Sequence, residues 1–498
     1  MKRPIVIASA LLFNAALIEA QDSPEKELTL TLQEVIRLAQ QQSPSALAAR
    51  HSLHAAQWNY RYYKADYLPS VTLTSTPDYT RSINKVTLSD GTQSYVEQNR
   101  LTTDLQLAIK QNVTFTGGYF TLTSSAERLD LFGEESNSTF YNTAPIYLGY
   151  SQSLFGYNTL KWNRRIEPIV YREACKQYNE TMELVASQAC NYFFSLATAQ
   201  TNLEIARFNL ASADTLNRYA KGRYDIGTIT ENDMLQLEIN KLNAEEEQIS
   251  AQMSVDDQMQ TLRTYLNLQD DVNLHVVIDD SIPQFIVPID EAMAYAYQNN
   301  PDPETFQRQR LQSESNLAYA KANAGLKADI YLQFGLTQTG NTLRDAYHDP
   351  INSQYASISL SLPILDWGKG KGRVKVARSN RDLTHIQVEQ NERNFEQNVQ
   401  RIVRQFNIQG NHMTIAAKTA TTAERRFEVA RRLYLMGKST VLDLNAAISE
   451  KDAARRNHIS TLKTFWSLYY TLRSLTGYDF ERGEKISYKL APSYTSEQ

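Results

Sequence analysis

Two decapeptides carry the side chains best suited to exchanging protons and hydrogen bonds: YDIGTITEND from Tyr224 to Asp233, and YLMGKSTVLD from Tyr434 to Asp443. Each begins with a phenol, which donates a hydrogen bond, and ends with a carboxylate, which only accepts one when ionised. Between them lie Gly227 and Thr228 in the first copy and Gly437, Lys438 and Ser439 in the second. Such a set can form polar links or attract a cation. It cannot run acyl or phosphoryl transfer, because no grouping of nucleophile, base and oxyanion donors accompanies it. GKGKG at 368–372 lacks the spacing and the hydroxyl residue of a phosphate loop and reads as a strand-to-helix junction. His51 and His54 have no metal-like partner set. Cys175 and Cys190 lie fifteen residues apart in a helical stretch, about 22 Å along its axis, too far to pair within it. Neither a metal nor any other cofactor is expected.

The elements that must carry the decapeptides follow from their surroundings. A helical stretch from about 158 to 224 precedes the first, and another follows from about 230 to 266; the second lies between stretches at about 371–435 and 440–475. Gly227 and Gly437 therefore sit just past a helix C-terminus, the usual place for glycine. Asp233 and Asp443 sit near a helix N-terminus, where free backbone N–H groups and the macrodipole favour an acid. The decapeptides are the tips of two helical hairpins. Capping and a role in a pore are compatible readings of the two acids. Tyr224 and Tyr434 can equally be packing residues of their hairpins, and for Tyr224 that is the favoured reading.

The echo extends far beyond ten residues. An offset of 210 lays 153–268 over 363–478 without a gap, and an offset of 257 lays Glu34 on Glu291, Pro44 on Pro301 and Lys64 on Lys321. The chain is an internal duplication whose first copy holds 47 extra residues between about 71 and 150. Each copy opens with a helix, the first at about 32–67 behind a T-L-Q-E capping box, the second from Asp290. Segments of period two follow: Leu105, Leu107 and Ile109 alternate with Gln106, Ala108 and Lys110, and Ile358, Leu360 and Leu362 alternate with serines. A run of more than 60 helical residues would reach about 90–100 Å, with Pro168 as a kink or as the true start. Leu235, Ile239, Leu242, Ile249 and Met253, like Leu462, Phe465, Tyr469 and Leu472, recur at three-and-four spacing and call for coiled-coil neighbours.

The formal charge of −4 over 498 residues gives no general attraction to nucleic acid. Lys2 and Arg3, an apolar run over 5–17 and Ala20 read as an export signal. No later stretch supplies the roughly 18 apolar residues of a membrane helix, so entry into lipid would require a closed β-barrel. The resulting boundaries are a signal peptide at 1–20 and a first repeat at 30–268, with strands at about 71–155 and a hairpin at about 158–266. A linker at 269–288, read as part of a belt around the helices, leads to a second repeat at 289–478, with strands at about 330–365 and a hairpin at about 371–476. A polar, peripheral tail occupies 479–498.

Export, duplication, paired long helices and short amphipathic strands together resemble the TolC-like outer-membrane efflux channels. YDIGTITEND, YLMGKSTVLD and SISLSLPILDWGKGKGRVKVAR are the most specific pieces, and the likeness runs from about Leu30 to Tyr478. The resemblance implies an α+β membrane protein: a homotrimeric transmembrane β-barrel continuous with a long periplasmic α-helical barrel, built from two tandem repeats. Apolar alternate residues would face outer-membrane lipid and Ser, Thr, Gln and Gly a wet lumen. The family's usual four strands per chain are open here, because NRLTTDLQLAIKQNVTFTGGYFTLTSS places a Gly117-Gly118 turn between two alternating runs.

The resemblance further implies a passive conduit serving a periplasmic adaptor and an inner-membrane pump, closed at rest by polar links among the tips. Asp233, Asp443, Tyr434 and Tyr224 become gate residues, with a hydrogen bond from Tyr434 to Asp233 and three copies of Asp443 forming an acidic constriction. Gly227, Thr228, Gly437, Lys438 and Ser439 become turn and adaptor-contact residues. Ser439 stands where the family carries arginine, and Ala446 where it carries a second acid, so the implied lock is a different or looser one. A conduit for type I protein secretion has the same features. A periplasmic adaptor, of another class, would have one hairpin and a lipoyl-like domain, and a secreted hydrolase a catalytic constellation.

Overall fold

A computed structural model describes residues 26–87, 89–133, 137–269 and 272–488. The expected export signal lies outside them. In chain order the elements are β1 (Lys26–Thr31), α1 (Leu32–Gln42), α2 (Pro44–Ala65), β2 (Ser70–Thr87), β3 (Gln93–Asn112), β4 (Tyr119–Phe132) and β5 (Asn137–Ser153). Next come α3 (Thr159–Asp225), α4 (Glu231–Leu266), β6 (Val272–Val277), α5 (Ile289–Asn299), α6 (Asp302–Ala322), β7 (Lys327–Gly340), α7 (Leu343–Ala346) and β8 (Ile351–Ser361). The chain ends in α8 (Lys369–Leu435), α9 (Val441–Thr476), β9 (Tyr478–Asp479) and β10 (Glu484–Lys485).

Local chemistry sets the ends of these elements. Thr31 and Glu34 form the capping box of α1, the Thr31 amide donating to Glu34 at 2.9 Å. The single opening helix expected over 32–67 is broken, however. Ser43 precedes Pro44 and takes an extended conformation (φ −63°, ψ 146°), because the proline ring disfavours a helical residue before it. The second copy breaks at the same place, at Asn300 before Pro301. Asp366 caps α8, its carboxylate accepting from the amides of Gly368 and Gly370 at 2.9 and 2.7 Å, so GKGKG is a helix start. Pro168 lies inside α3, not at its start.

Two compact units divide the chain, and each draws on both repeats. The first comprises residues up to Pro44, Ala186–Ile282 and His412–Thr464. In it, β1 and β6 form a two-stranded parallel sheet from Lys26↔Val272 to Thr31↔Val277. The expected linker thus contains a strand. Phe193, Phe194, Leu196, Ile205 and Leu462 are buried here. The apolar stripe on α4 is not: Leu235, Ile239, Leu242, Ile249 and Met253 are all exposed.

The second unit comprises Ser45–Val185, Pro283–Asn411 and the residues from Phe465 onward, and it holds a six-stranded antiparallel sheet in the order β2-β3-β4-β5-β7-β8. The Gly117-Gly118 segment is the turn of the β3–β4 hairpin, so six strands stand where the family usually has four. Register follows the period of two. Val71 pairs with Ile109, Ile109 with Leu122, Leu122 with Leu148, and Leu148 with Phe334, so one face is apolar from strand to strand. On the other face Thr72 meets Ala108, Ala108 meets Thr123, and Tyr331 meets Ser357. A slip of one residue would turn every apolar side chain to the polar face. The apolar row is exposed, with Leu73 at 66% and Leu360 at 68%.

A buried charge network ties the end of the chain into the same unit. Arg473 Nε donates to Glu183 Oε2 at 2.8 Å and Arg473 Nη1 to Asp479 Oδ2 at 2.6 Å, while Glu183 and Asp479 are almost fully buried. The tail was read as peripheral from Asp479 onward; its first residues are core, because they bring a carboxylate to Arg473. Removing one partner of a buried pair strands the others without water. We expect Arg473→Met to cost about 3–5 kcal/mol, measured as the unfolding midpoint in detergent. Arg393→Met breaks an exposed helical pair with Glu389 and should cost less than about 0.5 kcal/mol.

Candidate functional site

Both hairpin tips are built from the same local motif. At the end of α3 the Gly227 amide donates to Tyr224 O at 2.8 Å and the Thr228 amide to Arg223 O at 2.8 Å. At the end of α8 the Gly437 amide donates to Tyr434 O at 2.9 Å and the Lys438 amide to Leu433 O at 2.9 Å. These paired bonds form a Schellman motif, which needs a left-handed residue after the helix. Gly227 and Gly437 supply it with φ of +73° and +67°, and a Cβ at either would meet no atom within 4 Å. The constraint is therefore the backbone angle alone.

Each tip then enters its second helix through a capping box. Thr230 Oγ1 accepts from the Asp233 amide at 3.2 Å, while the Thr230 hydroxyl and amide donate to Asp233 Oδ2 at 2.8 and 3.3 Å. Thr440 and Asp443 repeat this with hydroxyl and amide distances of 2.7 and 3.3 Å, and the Ser439 hydroxyl adds a bond to Asp443 Oδ2 at 3.1 Å. These donors, the Thr440 hydroxyl first, hold the Asp443 carboxyl below its ordinary value. The T-x-x-D pattern was visible in the sequence, yet the threonines were not singled out.

The tyrosines divide the other way from the expectation. Tyr434 is 5% exposed and packs among Leu216, Ala220, Leu237, Phe427, Leu444 and Ala447, joining the two hairpins within the first unit. Tyr224, read as the packing residue, is 40% exposed. The copies diverge around the pair: the position equivalent to Phe427 is Asn217, which provides no aromatic wall. Burial raises the Tyr434 phenol above its ordinary value; Arg223 opposes this and Asp233 adds to it. The implied bond from Tyr434 to Asp233 does not form in this chain. Thr230 donates to Oδ2 of that carboxylate, and Asp233 acts on Tyr434 through its charge.

One buried cation was missed. Lys451 on α9 places Nζ 4.2 Å above the Phe208 ring and 4.4 Å above the Phe427 ring, 3.5 Å from Asp452 Oδ1. Asp452 Oδ2 accepts from Asn209 at 2.7 Å. The charged run EKDAARR looks like a solvated face, and only the ring pair across the hairpins, too distant in sequence to read, marks Lys451 as a clamp. Among the described residues no group of His, Cys, Asp or Glu could hold a metal ion, and no helix is long and apolar enough to cross a membrane.

Two measurements check this geometry. Gly227→Ala and Gly437→Ala should each cost about 1–2 kcal/mol through the positive φ, read as faster amide exchange confined to that tip. For Asp443 the depressed folded value means that its capping contribution is present above the unfolded value and lost as pH falls through the folded one. A carboxyl titration should find Asp443 below the usual aspartate value, and Thr440→Val should move it upward.

A family model described as outer membrane efflux protein matches residues 35–268 and 295–477. Among solved structures, the Campylobacter jejuni CmeC outer membrane channel is similar with a TM-score of 0.64 at 13% identity, covering 92% of this chain and 87% of its own. A membrane protein from Pseudomonas aeruginosa gives 0.63 at 15% identity over 91% and 92% of the two chains. The open state of the Neisseria gonorrhoeae MtrE outer membrane channel gives 0.58 at 15% identity over 92% and 91%. At such identities the likeness establishes fold alone. No curated protein matches the chain.

Proposed function

The chain belongs to the outer membrane efflux protein family, and from that premise we propose that it is the outer-membrane channel of a tripartite export machine, gated at its helical tips. Membership makes it an outer-membrane efflux channel and passive conduit, with its helical part in the periplasm, and not an enzyme. The observation that carries the fuller reading is the combination of one sheet that is apolar on one face and polar on the other with two helical hairpins that end in matching capped tips. A periplasmic adaptor with a single hairpin is not compatible with two.

The channel is a homotrimer. Besides the stripe on α4, Ile408, Ile415 and Val429 on α8 are exposed apolar residues at multiples of seven, the spacing at which a helix seam meets another helix. Both stripes are surfaces for neighbouring copies. The gate is formed by Asp233, Asp443, Tyr434 and Tyr224. Three copies of Asp443 near a common axis make an acidic constriction that favours cations. Gly227, Thr228, Gly437, Lys438 and Ser439 contact the adaptor, together with the exposed Ile226 and Met436, and the pump behind the adaptor selects the solute.

Single-channel current through purified, bilayer-inserted protein tests the gate. The native chain should give a small cation-selective conductance. Asp233→Asn and Asp443→Asn should raise that conductance or reduce its selectivity, and Tyr434→Phe, which keeps the buried ring, should leave the fold intact. Variants that insert and conduct like the native chain would remove the gate assignment.

A further inference from the structure

The first repeat sends four strands into the sheet and the second sends two. The additional hairpin is part of the wall, not a loop beside it. β3 pairs with β2 without interruption from Ser70↔Lys110 to Thr87↔Gln93, and β4 pairs with β3 from Arg100↔Leu131 to Asn112↔Tyr119. Its side chains continue both faces. Leu105, Leu107, Phe120 and Leu122, with the half-buried Ile109, extend the apolar row, and Gln106, Thr121 and Thr123 extend the polar one. A hairpin lying outside the wall would have no use for that alternation.

The sheet's two outer strands settle how it closes. All five pairings are antiparallel, so β8 runs opposite to β2. Within the sheet β2 pairs only with β3 and β8 only with β7. Ile358 and Leu360 on β8, and Val71 and Leu73 on β2, are exposed apolar residues beside these free edges. Free strand edges are not tolerated in lipid. Joining β8 of one copy to β2 of the next keeps the pairing antiparallel and removes every edge.

Resting on the homotrimeric reading above, we propose that three copies close into a single eighteen-stranded barrel and that its outer mouth passes hydrophilic solutes as bulky as a small folded peptide. With strands about 4.8 Å apart and tilted about 40°, eighteen strands give a backbone diameter of about 36 Å, against about 24 Å for twelve. A layer of side chains leaves a bore of about 25 Å, wide enough for a folded segment of about 30 residues, whose radius of gyration of about 8 Å corresponds to a diameter of about 21 Å. The lumen row is mostly hydroxyls and amides, with Thr72, Thr74, Gln106, Thr123, Gln333 and Ser357 among its members. Asp104 and Glu127 stand opposite each other on that row and add negative charge. The barrel is therefore a wet, porin-wide exit, and exclusion by size falls to the tips.

Electron cryomicroscopy of the full chain in lipid nanodiscs tests this directly. The expected map is a threefold particle with eighteen wall strands, about 1.5 times as wide as a twelve-stranded barrel. A variant lacking residues 82–137 should close with four strands per copy at the smaller width. A maleimide carried on a folded peptide of about 30 residues, added outside, should react with Gln333→Cys in the native-width barrel and fail in the shortened one once Cys175 and Cys190 are replaced by serine. A threefold channel with a twelve-stranded wall and the β3–β4 hairpin outside it overturns this proposal and leaves the channel reading standing. A particle without threefold symmetry overturns both.

Discussion

In lipid every backbone N–H and C=O must find a partner within the protein, and the structure answers to that requirement. No described helix can cross a membrane, so the whole demand falls on the six-stranded sheet. The period of two then becomes strict. An apolar side chain shifted by one position would point at water in the lumen, and a threonine at hydrocarbon. The register from Val71 through Ile109, Leu122 and Leu148 to Phe334 is the physical form of this rule. It also explains why the row is exposed in a single chain: its solvent is lipid.

A different economy governs the helical tips. They are wet and small, and only local bonds define them: a left-handed glycine, a capping threonine and an acid at the start of the next helix. The acids that the family resemblance assigns to a gate are thus engaged in holding their own helices. Asp443 is exposed and Asp233 half-buried, so a side chain that caps a helix can also present an acid to a pore. Tighter coupling lies deeper, where Tyr434 packs between the hairpins and Lys451 sits against Phe208 and Phe427. Motion of one hairpin against the other must disturb those contacts.

Much of this was legible in the sequence, and the failures have physical causes. The four long helices lie within two residues of the expected bounds, because apolar periodicity, terminal glycines and T-x-x-D caps all agree there. The breaks at Ser43 and Asn300 were written in the prolines that follow them but were outweighed by continuing helical periodicity. β1 and β6 are short strands that find each other across more than two hundred residues, a pairing that no local pattern encodes. Tyr434 and Tyr224 are equivalent in the repeat and opposite in environment, since the second copy brings Phe427 where the first has Asn217. The stripe on α4 is apolar, as its spacing reads, but it is left exposed in the chain.

The central claim is that one face of the sheet meets lipid and the other lines a water-filled lumen. Cysteine scanning along β3 in reconstituted protein, with Cys175 and Cys190 replaced by serine, tests it most directly. Cysteines at Asp104, Gln106 and Ala108 should react with a small, charged, membrane-impermeant thiol reagent, and cysteines at Leu105, Leu107 and Ile109 should not. Uniform reactivity along the strand, or the opposite alternation, would contradict the account.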